Sequence, residues 1–183
     1  MRDLSQHILD LAQNSMTAGA TLVIIRLCIE ENGTLSMTIA DNGRGMPENV
    51  LHHAVDPFVT TKQGRRIGLG ISLMQANAER AGGSMQVQSA VGAGTTLTVT
   101  MHRNHIDCLP LGDLEGTLLA LSFANPSTDI RFEGSMVKGT YVYDTRMIKQ
   151  KMAEQTFSAA KLMAVMQQEL QQSINPIFGG GTI

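Results

Sequence analysis

Thr21 to Ala40 constrains the fold of this chain more than any other stretch. TLVIIRLCIE (21–30) is dense in β-branched residues, TLSMTIA (34–40) alternates apolar and polar positions, and Asn32-Gly33 between them is the strongest short hairpin signal. Two such strands are antiparallel neighbours with an apolar face that needs a cover. The flanking segments provide one. Leu4, Ile8, Leu11 and Ala12 recur at helical period from Leu4 to about Ser15. Pro47 fits the first position of a short helix, PENVLHHAV, after DNGRGM. Asp56 to Gly70 has no sustained period and reads as a long functional loop. From Leu69 to Ala81 the period is helical again, Gly82-Gly83 gives a stop, and strands SMQVQS and TTLTVTM follow around the turn AVGAG. The predicted fold class is α+β: a two-layer α/β sandwich, with a mixed, mostly antiparallel sheet and helices on one face.

Beyond about Arg103 the pattern changes, and NHIDCLPLGD is a Pro- and Gly-containing connector. The expected division is a first domain over 1–103 and a small α/β extension over 104–183. In the extension Asp113 is placed to cap a helix running to Asn125-Pro126, DIRFEG and GTYVYDT form a hairpin, and Asp144 or Thr145 starts another helix. Phe157 to Ile174 is a further helix, and NPIFGGGTI is expected to be a frayed tail. His105, Asp107, Asp113 and Asp144 are too scattered to favour a site over structural roles. Met152, Met163 and Met166 suit a core or docking face, because methionine packs adaptably.

Charge narrows the range of partners. With 14 Lys+Arg against 16 Asp+Glu in 183 residues, the net charge is −2. With no dense basic run, nucleic acid is not the expected partner, since such binding rests on phosphate neutralisation. Cys28 and Cys108 have neither zinc nor disulfide spacing, which fits a reducing cytoplasm. No apolar run reaches the roughly 18 to 20 residues of a membrane span, so no membrane partner is expected.

Asp10 and Asn14 lie four apart on the first helix and therefore share a face. Magnesium takes hard oxygen ligands and keeps most of its waters, so one amide oxygen plus nucleotide phosphates is a sufficient set. Asn14 suits that role, and Asp10 could hold or deprotonate a water; a solvated polar face is the bland alternative. In DNGRGM, Gly43 and Gly45 allow backbone to approach a flat ligand, and Asp41 could accept a hydrogen bond from an exocyclic amine; a plain Asx turn is the alternative. GRRIGLG runs into a helix N-terminus and makes an anion site near Lys62, Arg65 and Arg66. GAGTT (92–96) by itself is a tight turn.

The order of these segments is more specific than any one of them. Asp10-x-x-x-Asn14, DNGRGM (41–46), DPFVTTK (56–62), RRIGLGIS (65–72) and GAGTT (92–96) resemble, in sequence, the N, G1, F, G2 and G3 boxes of the GHKL superfamily of Bergerat-fold ATPases. That superfamily includes DNA gyrase, heat-shock chaperones, sensor histidine kinases and mismatch-repair ATPases. The resemblance covers about residues 1–102. DLAQNSMTAGAT looks like the mismatch-repair N box, whereas DPFVTTK through GAGTTLTV looks like a histidine kinase. The chain as a whole resembles stand-alone histidine-kinase-like ATP-binding proteins of bacteria.

The resemblance implies ATP and magnesium as cofactors. Asn14 would bind the magnesium, Asp41 the adenine amino group, Gly43, Gly45 and Met46 would lie at the base, and Phe58 would anchor a lid. Thr61, Lys62, Gly68, Leu69 and Gly70 would bracket the phosphates, and Thr95 or Thr96 would back up Asp41. Hydrolysing members carry Glu at position 10 as general base. Asp is one methylene shorter, and a base must come within about 3 Å of its water, so slow hydrolysis is expected.

Three functions follow as expectations. The first is a magnesium-dependent ATP-binding protein that couples nucleotide state to a partner protein, with slow or partner-dependent hydrolysis. The second is a protein kinase acting in trans, of the histidine or anti-sigma serine type. Only 13 residues precede Asn14, which leaves no room for a dimerising hairpin with a phosphoacceptor histidine, and His7 is read as a helix-surface residue. The third, a mismatch-repair-like DNA ATPase, is disfavoured by the missing basic face.

Overall fold

The computed structural model describes residues 1–55, 70–137, 139–153 and 159–178. The first helix, α1 (Leu4–Thr17), is N-capped by Asp3, whose carboxylate accepts from the Gln6 amide. It leaves through Gly19 at φ +79°, with Ala20 N–H donating to Ser15 O and Gly19 N–H to Met16 O. That is a Schellman closure, which needs the left-handed residue only glycine adopts freely. The turn delivers the chain to β1 (Leu22–Ile29), and the Asn32-Gly33 turn sends it back as β2 (Thr34–Asp41) in the expected antiparallel pair.

The short helix α2 (Glu48–Val55) follows, then α3 (Gly70–Arg80), β3 (Ser84–Ala90) and β4 (Gly94–His102). Gly82, at φ +73°, stops α3 as expected. The remaining elements are α4 (Leu114–Ala124), β5 (Asp129–Met136), β6 (Gly139–Asp144), α5 (Thr145–Ala153) and α6 (Ala159–Phe178). The last helix continues past Ile174, through Pro176, into the segment expected to fray. None of the described helices is long and apolar enough to cross a membrane.

The six strands form one sheet in the order β3-β4-β2-β1-β5-β6, in which β1 and β5 are parallel and every other pair is antiparallel. The mixed, mostly antiparallel α+β architecture is the expected one. Strand alternation puts Val23, Ile25, Leu27, Ile29, Met37, Ile39, Leu97, Val99, Ile130 and Phe132 on one buried face. Leu4, Ile8 and Leu11 of α1, Met74 and Ala78 of α3, Leu118 and Leu121 of α4, and Met166 and Leu170 of α6 close over it in one continuous core. On the opposite face Arg26 pairs with Glu133 at 2.6 Å.

The segment beyond His102 is joined to the rest by backbone, side-chain and strand contacts. Pro110 and Leu111 carbonyls accept from the Leu4 and Ser5 amides, satisfying donors that the first turn of α1 leaves free. Thr128 Oγ1 donates to Ala20 O, and Asp129 N–H donates to Thr21 O, so the other end of α1 is held as well. Between them β5 pairs along β1 over seven register positions, Leu22↔Asp129 to Cys28↔Ser135. Asp113 caps α4 through Gly116 N–H, Asp144 is paired with Arg146 and Arg131, and Met166 is in the core while Met163 is 46% exposed.

His7 differs from expectation. It is fully buried between α1 and α3, not on the helix surface. Arg80 donates to Asn77 Oδ1, and a guanidinium only donates, so the amide nitrogen of Asn77 is the atom 3.0 Å from His7 Nε2. His7 Nε2 therefore accepts and the ring is neutral. Burial, the largest cause, lowers its pKa to about 4, with Asp3 opposing.

Candidate functional site

Adjacent strands place Asp41, Thr95 and Ser89 in one row, with Asp41 opposite Thr95 and Thr95 opposite Ser89. The row lies on the helix-covered face at the sheet end nearest the C-terminal half of α1. There it borders a cavity of about 240 Å³ whose lining includes Leu11, Asn14, Asp41, Met46, Ile71 and Thr95. Most of the wall is apolar, with a few polar groups converging on it, the composition of a site for a flat, partly polar ligand.

Asp41 is held from two sides. Ser15 Oγ donates to Oδ2 at 2.6 Å, and Gly43 N–H donates to Oδ1 at 2.8 Å. Each oxygen keeps a lone pair beyond these bonds, so the carboxylate can accept a further hydrogen bond from a ligand. Ser15 was not visible as a site residue in the sequence. It sits one position after Asn14 and turns inward while Asn14 is exposed at the cavity rim.

The glycines act somewhat differently from expectation. Gly43 holds the Asp41 carboxylate with its amide. At Gly45, φ is +64°, and an added Cβ would lie 1.9 Å from Ala90 O. The close approach that requires glycine there is to the backbone of the β3–β4 turn, although Gly45 also lines the cavity. Met46 lines it too, and its N–H donates to Ser89 Oγ at 2.8 Å. Of the two threonines, Thr95 lines the cavity. Thr96 pairs with Ala40 and, by the two-residue alternation of β4, points to the opposite face, so it does not join Asp41.

Asp10 lies on the same side of α1 as Asn14, against the start of α3. An added Cβ on Gly70 would be 1.8 Å from Asp10 Oδ2, and this oxygen is buried with no hydrogen-bond partner among the described residues. A carboxylate oxygen in that state beside a helix N-terminus has a position from which it could hold a water. Phe58, Thr61, Lys62, Gly68 and Leu69 lie outside the described residues, as do Arg65 and Arg66.

The residues present fit a purine nucleotide. The cavity offers apolar walls for a base and a carboxylate acceptor for an exocyclic amine. For magnesium the donor set is thin: among the described residues no group of three His, Cys, Asp or Glu could hold a metal. A cation held by the Asn14 amide would need phosphate oxygens to complete its shell.

Comparison with known proteins gives the same direction. Residues 1–105 match the family described as "Histidine kinase-, DNA gyrase B-, and HSP90-like ATPase". The chain is 33% identical over 101 residues to sporulation kinase D of Bacillus subtilis, covering 54% of this chain and 19% of that protein. It is 30% identical over 102 residues to the sensor histidine kinase ZraS of Escherichia coli, covering 55% and 22%. It thus spans about a fifth of the length of these relatives. A solved topoisomerase IV ATP-binding domain of Francisella tularensis, in complex with a small-molecule inhibitor, is similar at a TM-score of 0.46 and 18% identity, over 76% of this chain and 84% of that one.

Proposed function

The chain belongs to the histidine kinase-, DNA gyrase B- and HSP90-like ATPase family, and from that premise we propose that it is a magnesium-dependent ATP-binding protein that couples nucleotide state to a partner protein, with slow or partner-dependent hydrolysis. The observation that carries the reading is the Asp41 carboxylate, fixed by Ser15 and Gly43 at an apolar cavity with an acceptor position left over. In this reading Asp41 receives the adenine amino group, and Leu11, Ile39, Met46 and Leu97 line the base. Asn14, exposed at the rim, offers its amide oxygen to a magnesium ion, which when bound neutralises phosphate charge. Gly70 opens α3 with amides that can face an anion.

Asp10 is the group that would orient or deprotonate a water. It is pressed against Gly70 with one oxygen unpaired among the described residues, and a carboxylate one methylene shorter than Glu has little freedom to follow a moving water. That position supports a slow turnover by the protein alone. Asp10→Asn should keep ATP affinity in a calorimetric titration and lower phosphate release further. Unchanged phosphate release would remove Asp10 from the chemistry, and no heat of ATP binding by the wild-type protein would end the reading.

A second reading, phosphoryl transfer to a separate protein, is favoured by the relatives, which are named as kinases. Stable label from γ-labelled ATP on a candidate partner would replace the coupling reading by the kinase one.

A further inference from the structure

We propose that Ser89 is a specificity-determining positioning residue, which forces the Thr95 hydroxyl to face the cavity as a hydrogen-bond acceptor and so favours purines carrying an amino group at the six position. The inference rests on the nucleotide reading of the cavity above.

The hydrogens available around Ser89 fix the direction of its contacts. Among the described residues Ser89 Oγ has three neighbours at bonding distance: Met46 N at 2.8 Å, Gly94 O at 2.9 Å and Thr95 Oγ1 at 2.9 Å. The Met46 amide can only donate and the Gly94 carbonyl can only accept, so two of the three contacts have a fixed direction. A serine hydroxyl has one hydrogen and two lone pairs. Its hydrogen goes to Gly94 O and one lone pair receives Met46 N–H. The remaining lone pair is all that Ser89 can offer Thr95. One arrangement satisfies all three contacts, and in it Thr95 donates to Ser89.

Thr95 has then spent its hydrogen away from the cavity it lines. What it turns toward a ligand is lone pairs. Asp41, its register partner on β2, has likewise received two donors among the described residues, keeps acceptor capacity and lines the same cavity. Two acceptors side by side suit a donor such as an amino group, directly or through a shared water, and oppose a carbonyl oxygen. An inosine nucleotide presents a carbonyl where an adenosine nucleotide presents an amine, with the triphosphate unchanged.

Ser89→Ala removes both the lone pair that holds the Thr95 hydrogen and the hydrogen on Gly94 O. The Thr95 hydroxyl becomes free to rotate and donate into the cavity. Titration with ATP and with ITP, both with magnesium, reads the effect. The expected result is a ratio of ATP to ITP affinity reduced by about fivefold to tenfold in Ser89→Ala, the size of one hydrogen bond, and restored in Ser89→Thr. In a Thr95→Val background Ser89→Ala should leave the ratio where Thr95→Val alone puts it.

If Ser89→Ala binds no nucleotide, Ser89→Cys, whose thiol keeps the shape but is a weak acceptor, should lower the ratio in the same direction. An equal loss of ATP and ITP affinity, or an unchanged ratio, overturns the role of Ser89 while leaving the ATP reading intact. Failure of the wild-type protein to bind ATP overturns both.

Discussion

Acidification should destabilise this protein through His7. The imidazole is fully buried, with Nε2 committed as an acceptor from Asn77 and Nδ1 without a partner among the described residues. Burial lowers its pKa to about 4, whereas in the unfolded chain it titrates near the ordinary 6.5. Between those values the unfolded chain binds more protons, so this contribution to stability is complete above pH 6.5, is lost as pH falls toward 4, and levels off below. Integrating the two titrations gives a loss of about 1.4 kcal/mol at pH 5.5 and about 2.6 kcal/mol at pH 4.5. Urea unfolding at pH 7.5, 5.5 and 4.5, for the wild-type chain and for His7→Gln, isolates it. Glutamine keeps an acceptor for Asn77 and cannot titrate, so the two stability curves should converge toward low pH by these amounts. Curves that run parallel from pH 7.5 to 4.5 would refute the assignment of a neutral, uncompensated imidazole.

Three further perturbations address the candidate site. Asn14→Ala should abolish magnesium-dependent ATP binding and leave the far-ultraviolet circular dichroism and melting temperature nearly unchanged, since Asn14 is exposed; retained affinity removes it from the ligand set. Asp41→Asn should weaken ATP relative to GTP, because an acceptor for the adenine amine is lost, and competitive binding of the two nucleotides would detect an unchanged preference. Gly70→Ala should displace the Asp10 carboxylate, since the new Cβ would fall 1.8 Å from Oδ2. Phosphate release should fall more steeply than ATP affinity, and equal losses would mean that Asp10 has no part in turnover.

The hairpins, the stop at Gly82 and the cap at Asp113 were legible because each is written in neighbouring residues: alternation, an Asn-Gly pair, a left-handed glycine. Asp41 was legible for the same reason, standing at a strand end before DNGRGM. Ser15 and Ser89 were not. Nothing local distinguishes them from other serines, and their roles arise from partners 26 and 43 residues away, brought close by helix packing and strand register. His7 escaped because only apolar residues were counted toward the buried stripe of α1. It lies three residues after Leu4 and four before Leu11, on the same side. The Thr95-or-Thr96 alternative needed the register of β4 against β2, which adjacent threonines do not reveal.

The pairing of β5 with β1 has a consequence for how the chain is made. β2 follows β1 directly, whereas β5, which pairs the other edge of β1, begins at Asp129, far along the chain from Ile29. At about 5 to 20 residues per second, the connector and α4 take some seconds to follow. Until β5 pairs, the amides and carbonyls of β1 that face away from β2 are an open edge, the kind of template on which another chain can pair. Once in place, β5 covers that edge of β1 over seven register positions and leaves it closed to a second chain.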